Sequence, residues 1–193
     1  ESVGRGSDLH DHRGHACSYA HEAAAEMGFA LDVLEARGDI APDSPEAEAF
    51  VQAVITDTIM HEVGHTLGLK HNFKASTTVT QAQLRDKRFT EAQGISGSVM
   101  DYNAYNIALK GETQGSYNST SLGPYDYWAI EYAYRPLDPT TEAADLAKIA
   151  ARSTEPALAY GDDTDAGGFG ANDGMDPLAN RFDLGDDPLA YYK

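Results

Sequence analysis

The sequence contains one cysteine, Cys17, so no intrachain disulfide can form and a disulfide-stapled scaffold is excluded. Basic residues are scarce. Fourteen Lys and Arg stand against 31 Asp and Glu, a formal charge of −17. A phosphate backbone would be repelled, which argues against a nucleic-acid partner. The acidic surplus otherwise serves solubility. No apolar run is long enough to span a bilayer, so no membrane-spanning helix is expected. The chain begins Glu1-Ser2-Val3, with neither Met nor a basic-then-apolar signal region. Its last residues, 187–193, read as a helix start that stops. We therefore expect residues 1–193 to be a single domain cut from a longer protein. Strong β alternation and internal repeats are also missing. The expected fold is mainly α with little or no sheet; the alternative is α+β with a small sheet.

What is present is a helical pattern. With 193 residues, 41% of them hydrophobic, the chain can bury a real core. From residue 18 to 37, Ala20, Ala24, Met27, Leu31 and Leu34 recur at helical spacing. Ser18 is placed to cap that helix and Gly38 to end it. Ser44-Pro45-Glu46 is a second helix start, with a cap, a first-turn Pro and an acid at the positive dipole end. That helix runs through Phe50, Val51, Val54, Ile55 and Ile59 to about Leu67, and Gly68 stops it. Further helices are predicted over 81–88, 124–134 (aromatic-rich and buried) and 141–152. Residues 111–123 read as exposed loop, including the glycosylation-type triplet Asn118-Ser119-Thr120. Residues 161–177 read as irregular.

The segment that carries chemistry is His61-Glu62-Val63-Gly64-His65-Thr66-Leu67-Gly68-Leu69-Lys70-His71. Residues four apart on a helix lie almost above one another, so His61 and His65 can aim two imidazoles at one ion. Gly68 can take the left-handed conformation that ends the helix and turns the chain, letting His71 approach from another side. Three neutral histidines leave a fourth position for water, the arrangement of a catalytic zinc site. Glu62 projects at a different angle from the ligands. It is placed to act as general base toward a metal-bound water, and then to protonate a leaving amine.

This extended motif resembles the metzincins, a group of zinc endopeptidases, and so does Ser98-Val99-Met100-Asp101-Tyr102. The resemblance implies one catalytic Zn2+ on His61, His65 and His71. It makes Met100 the residue of a methionine turn that floors the metal. It makes Tyr102 a candidate to bind the metal or an oxyanion. Together with His71-Asn72-Phe73-Lys74-Ala75-Ser76 and Gly123-Pro124-Tyr125-Asp126-Tyr127-Trp128, these segments resemble the catalytic domain of large bacterial zinc-dependent metalloproteases. That likeness implies a secreted or otherwise exported enzyme acting on a protein or peptide substrate. One departure stands out. Metzincins usually place several strands between the backing helix and the zinc helix, but here only residues 38–44 separate the two. The alternative is a non-catalytic binding or scaffold module stabilised by zinc, or a fragment that binds zinc and is inactive without upstream strands.

Three weaker signals remain. Asp8-Leu9-His10-Asp11-His12-Arg13-Gly14-His15 is either a second metal site or a solvated arm. Asp162, Asp163, Asp165, Asp173 and Asp176 could bind Ca2+, but glycines occupy positions where an EF-hand loop needs ligands, and a solvated acidic loop is the plainer reading. Cys17 could block the zinc as a thiolate; we read it instead as a small buried apolar residue.

Overall fold

The computed structural model describes residues 17–166, 174 and 176–191. Two long helices lead. Helix α1 spans Tyr19–Arg37 and α2 spans Pro45–Thr66. The Ser44 hydroxyl accepts from the Ala47 amide at 3.1 Å, so α2 starts where the capping pattern places it. Gly38 ends α1 at φ 74°, donating to the Glu35 and Leu34 carbonyls. Ser18 does not cap α1; its hydroxyl donates instead to the Glu22 carboxylate.

The short link makes α1 and α2 an antiparallel pair. Leu34 shares an apolar cluster with Phe50 and Val54 near the link, while Tyr19 reaches Asp57 and His61 at the far end. The buried stripe of α1 is Tyr19, Ala23, Ala30 and Leu34, so Ala20 and Ala24 lie outside the face assigned to them. On α2 the buried stripe is Phe50, Val54, Asp57, His61 and Gly64. Ile55, Ile59, Val63 and Leu67 form an outward stripe instead. Helical periodicity alone could not tell these faces apart, because α2 carries apolar residues on both sides and polar ones on the buried side.

The segment predicted as one helix over 81–88 is two, α3 (Gln81–Leu84) and α4 (Lys87–Gln93). Asp86 breaks it: its carboxylate accepts from the Arg88 and Phe89 amides and caps α4. Helix α5 covers Pro124–Tyr134 and α6 Glu142–Ala150. Helix α5 is not buried as its aromatic content suggested. Tyr127 is 65% exposed, and Asp126 alone on this helix is fully withdrawn. Two short turns, α7 (Asp163–Ala166) and α8 (Pro188–Tyr191), complete the helices. Among the described residues there is no sheet, only one parallel bridge between Asn103 and Asp183. The fold is mainly α.

Between α4 and α5 the backbone is irregular yet buried: every residue from Gly94 to Asn106 is withdrawn from solvent. Buried irregular backbone must have its polar groups met by side chains. Here Ser119 accepts the Ile95 amide at 3.1 Å, and the Asp101 carboxylate accepts the Ser76 amide at 2.7 Å. Asn118 and Ser119 are therefore buried, not the exposed loop expected of them. A glycan on Asn118 has no room.

Candidate metal centre

Helix α2 delivers His61 and His65 one turn apart. The helix then closes at Gly68, which takes φ 87°, and Leu69 donates back to the Gly64 carbonyl at 3.0 Å. The turned chain brings His71 back against the helix. The ring centroids of His61 and His65 are 4.7 Å apart, and those of His65 and His71 4.8 Å.

The second ring nitrogens determine what these histidines can do. His61 Nδ1 lies 2.7 Å from the Val99 carbonyl and His65 Nδ1 3.0 Å from the Leu69 carbonyl. His71 Nδ1 lies 2.9 Å from the Asp163 carboxylate. All three partners are acceptors, so each Nδ1 carries the proton and donates. In the neutral rings each Nε2 then presents a lone pair. His65 Nε2 and His71 Nε2 face each other at 3.2 Å. Two bare lone pairs at that distance repel; a shared cation turns the contact favourable. Zn–N lengths of 2.0–2.1 Å place two corners of a tetrahedral shell ~3.3–3.4 Å apart. The donor set fits zinc. Burial also pushes the His61 pKa down to about 3, so that ring is already in the neutral, ligating form.

A scaffold of hydrogen bonds fixes the floor of this cluster. Asp126, in the first turn of α5, accepts from the Ser98 hydroxyl at 2.6 Å, the Val99 amide at 3.0 Å and the Gly123 amide at 2.8 Å. Val99 is the residue whose carbonyl receives His61, so Asp126 positions that histidine through one residue. The next residue, Met100, is fully buried beneath the zinc helix. A Cβ built on Gly64 would overlap the Met100 sulfur, so only glycine allows the approach. Asn72 ties His71 into the same frame: its amide donates to the Met100 carbonyl at 2.9 Å, and its side-chain amide to the Ala159 carbonyl at 3.0 Å.

Tyr102 is 2% exposed and stacks on Tyr19 at 4.7 Å, with its ring 4.9 Å from that of His71. Burial raises its pKa, so the hydroxyl keeps its proton. Glu62 is half-buried and reaches the cluster through Cys17, whose sulfur lies 3.5 Å from Glu62 Oε1. All six residues singled out in the sequence thus gather at one place.

Cys17 packs against the Tyr19–Phe73–Tyr102 cluster as the apolar reading expects, half-buried, and its sulfur also lies 3.5 Å from His61 Nε2 and 3.3 Å from the Tyr102 hydroxyl. One ligand atom from each of Cys17, His61, His65 and His71 falls within 4.8 Å of the others. Burial raises the Cys17 pKa, so without a metal the group is a neutral thiol. The acidic loop needs correction. Asp163 binds His71 and accepts from Arg181 at 3.1 Å, and Asp176 pairs with Lys74 at 2.6 Å. Burial acts to raise the Asp163 pKa, but His71 and Arg181 outweigh it and hold the carboxylate below its ordinary range. Asp162 and Asp165 are engaged within their own turn. Asp173 and the Asp8–His15 segment lie outside the described residues.

Sequence reasoning gave neither Asp163 nor Asp126 its role beside the histidines. Nothing local marks Asp163. Asp126 carried a usable signal, since Gly123-Pro124-Tyr125-Asp126 is a helix start with an acid at the capping-box position.

No curated protein and no solved structure matches the chain. The Met-zincin family profile matches residues 43–193, most of the chain and all of the cluster except Cys17. With three histidines converging on one point above a buried methionine, this chain belongs to the Met-zincin family and carries a zinc-metalloprotease-like domain.

Proposed function

We propose that this domain is a zinc-dependent endopeptidase acting on protein or peptide substrates. The observation that carries the reading is the commitment of all three Nδ1 atoms to acceptors, which leaves three Nε2 lone pairs directed at one point. His61, His65 and His71 would hold the ion. When bound, zinc acidifies a water toward a pKa of ~7 and polarises the peptide carbonyl. Glu62 takes the proton of the attacking water and passes it to the leaving amine. The Tyr102 hydroxyl donates to the oxygen that gains charge, and the buried ring holds that donor in place. Asp163 and the Val99 carbonyl keep His71 and His61 oriented and basic.

Two arms test this: digestion of a peptide library with and without chelator, and metal content of Glu62→Gln. Cleavage that a chelator stops, with Glu62→Gln retaining one zinc and losing cleavage, is the expected result. Full activity in Glu62→Gln removes Glu62 from its role. A second reading, a zinc-stabilised module without catalysis, draws support from the absence of a sheet among the described residues, since no edge strand is there to align an extended substrate. Chelator that unfolds the domain, with no peptide cleaved under any condition, would favour it.

A further inference from the structure

We propose that Asp101, Asp183 and Asn103 form a buried calcium site beside the Met100 turn. None of the histidines takes part, so the proposal stands apart from the zinc reading. Asp101 and Asp183 are both 0% exposed. One residue holds the two carboxylates together: the Ser76 amide donates to Asp101 at 2.7 Å, and the Ser76 hydroxyl donates to Asp183 at 2.9 Å. Asn103 joins them through the parallel bridge that pairs it with Asp183, since paired residues turn their side chains to the same face. Asn103 is 6% exposed, and no protein group meets its amide oxygen or nitrogen. Asp101 Oδ1 has no protein partner either. Buried polar atoms are nearly always paired, so this group of neighbours calls for a ligand.

Charge indicates which ligand. Neither carboxylate forms an ion pair among the described residues. Burial raises the pKa of both, to about 6 for Asp183, and the Asp183 charge raises that of Asp101 further. A shared proton or a cation can relieve such a pair. The proton leaves one negative charge in the interior and does nothing for the Asn103 oxygen. A divalent cation neutralises both carboxylates and takes the amide oxygen as well. The donors are all oxygen, with no imidazole or thiol, so the ion is a hard one. Calcium accepts carboxylate, amide and water oxygens at about 2.3–2.6 Å in flexible shells, whereas magnesium demands a near-ideal octahedron.

The ion would join three stretches of chain. Ser76 lies in the turn that follows His71, Asp101 follows Met100, and Asp183 belongs to the stretch before α8. Calcium here fastens the floor of the histidine cluster to the rest of the fold. The acidic loop is a poorer host, because its carboxylates are spent on His71, Lys74 and its own turn.

The test refolds the full chain from urea with zinc present throughout, with and without calcium. Bound calcium is measured after gel filtration, and the urea midpoint beside it. Wild type is compared with Asp183→Asn, with Asn103→Leu and with Asp162→Asn from the acidic loop. One calcium per chain in wild type and Asp162→Asn, and none in the other two, is the expected result. Calcium at 100 times its Kd should lower the unfolding constant of the first two about 100-fold and leave the others unmoved. Asn103→Leu keeps the fold testable if Asp183→Asn does not fold, since it exchanges an unpartnered amide for an apolar group of similar size. Calcium kept by Asp183→Asn or by Asn103→Leu, or lost in Asp162→Asn, overturns the site. No retained calcium and no shift of midpoint in the wild type overturns it as well, and assigns the pair a shared proton.

Discussion

The packing of Met100 under Gly64 can be tested by a double-mutant cycle whose sign follows from the geometry. Met100 is fully buried, and its backbone is held at both ends: its amide donates to Ser98 Oγ at 3.0 Å, and its carbonyl accepts from Asn72. Only the side chain can yield when Gly64→Ala adds a methyl group onto the sulfur. Overpacking of this kind costs about 1–3 kcal/mol. Replacing a helix glycine by alanine returns ~1 kcal/mol. The net loss for Gly64→Ala is therefore about 0–2 kcal/mol. Met100→Ala removes a buried side chain and costs about 2–5 kcal/mol. In the double variant the new methyl group projects into the vacated space and meets no sulfur. The two changes should then cost less together than their sum, with a coupling of about 1 kcal/mol or more. Urea unfolding of the metal-free proteins, at constant slope, measures all four corners. Additivity within ~0.5 kcal/mol would refute the contact, because distant sites behave that way. Met100→Leu, which conserves volume, should cost below ~1.5 kcal/mol alone and still clash with Ala at 64.

Three further outcomes are expected. Asp163→Ala should weaken zinc binding about 10–100-fold by freeing His71 Nδ1, read by competition with a chromogenic chelator; an unchanged affinity removes Asp163 from the site. Asp126→Ala strips three donors of one buried acceptor and should lower the unfolding free energy by about 3 kcal/mol or more, visible as a fallen urea midpoint. Asp57 gives a pH test: burial raises its pKa from an ordinary 3.8 to about 7, so the folded chain holds a proton that the unfolded chain has lost. Its contribution is fully present below the unfolded value and is lost as pH rises toward about 7. The stability of Asp57→Asn relative to wild type should therefore climb across that window, by up to ~1.4 kcal/mol per pH unit, and a flat difference refutes the shift.

How far the sequence could be read depended on range. Ser44, Gly38 and Gly68 act within a turn of their own helices, and caps and stops of that kind are local chemistry. The histidine triplet proposed to hold zinc was visible for the same reason, since His61, His65 and His71 lie within a helix end and its turn. Buried faces were less legible. Helix α2 turns Asp57 and His61 inward and Ile55 and Ile59 outward, against the usual preference, because the site and not the apolar core claims that face. Ser119 read as surface for a similar reason: its hydroxyl looks solvated until the irregular 94–106 segment needs it.

The groups that orient the histidines come from far along the chain. His61 is oriented by Val99, 38 residues away, and His71 by Asp163, 92 away. The Cys17 sulfur meets His61 across 44 residues. No periodicity links such positions; only packing brings them together. The zinc helix can present two imidazoles, but it cannot choose their tautomers. Those are set by the Leu69 turn, by the Met100 segment that Asp126 clamps, and by an aspartate in an acidic loop. Removing any one of these acceptors leaves the ligand sequence intact and lets a ring place its proton on the nitrogen that must bind the ion. The motif therefore specifies which atoms can ligate, and the distant acceptors decide whether they are ready to.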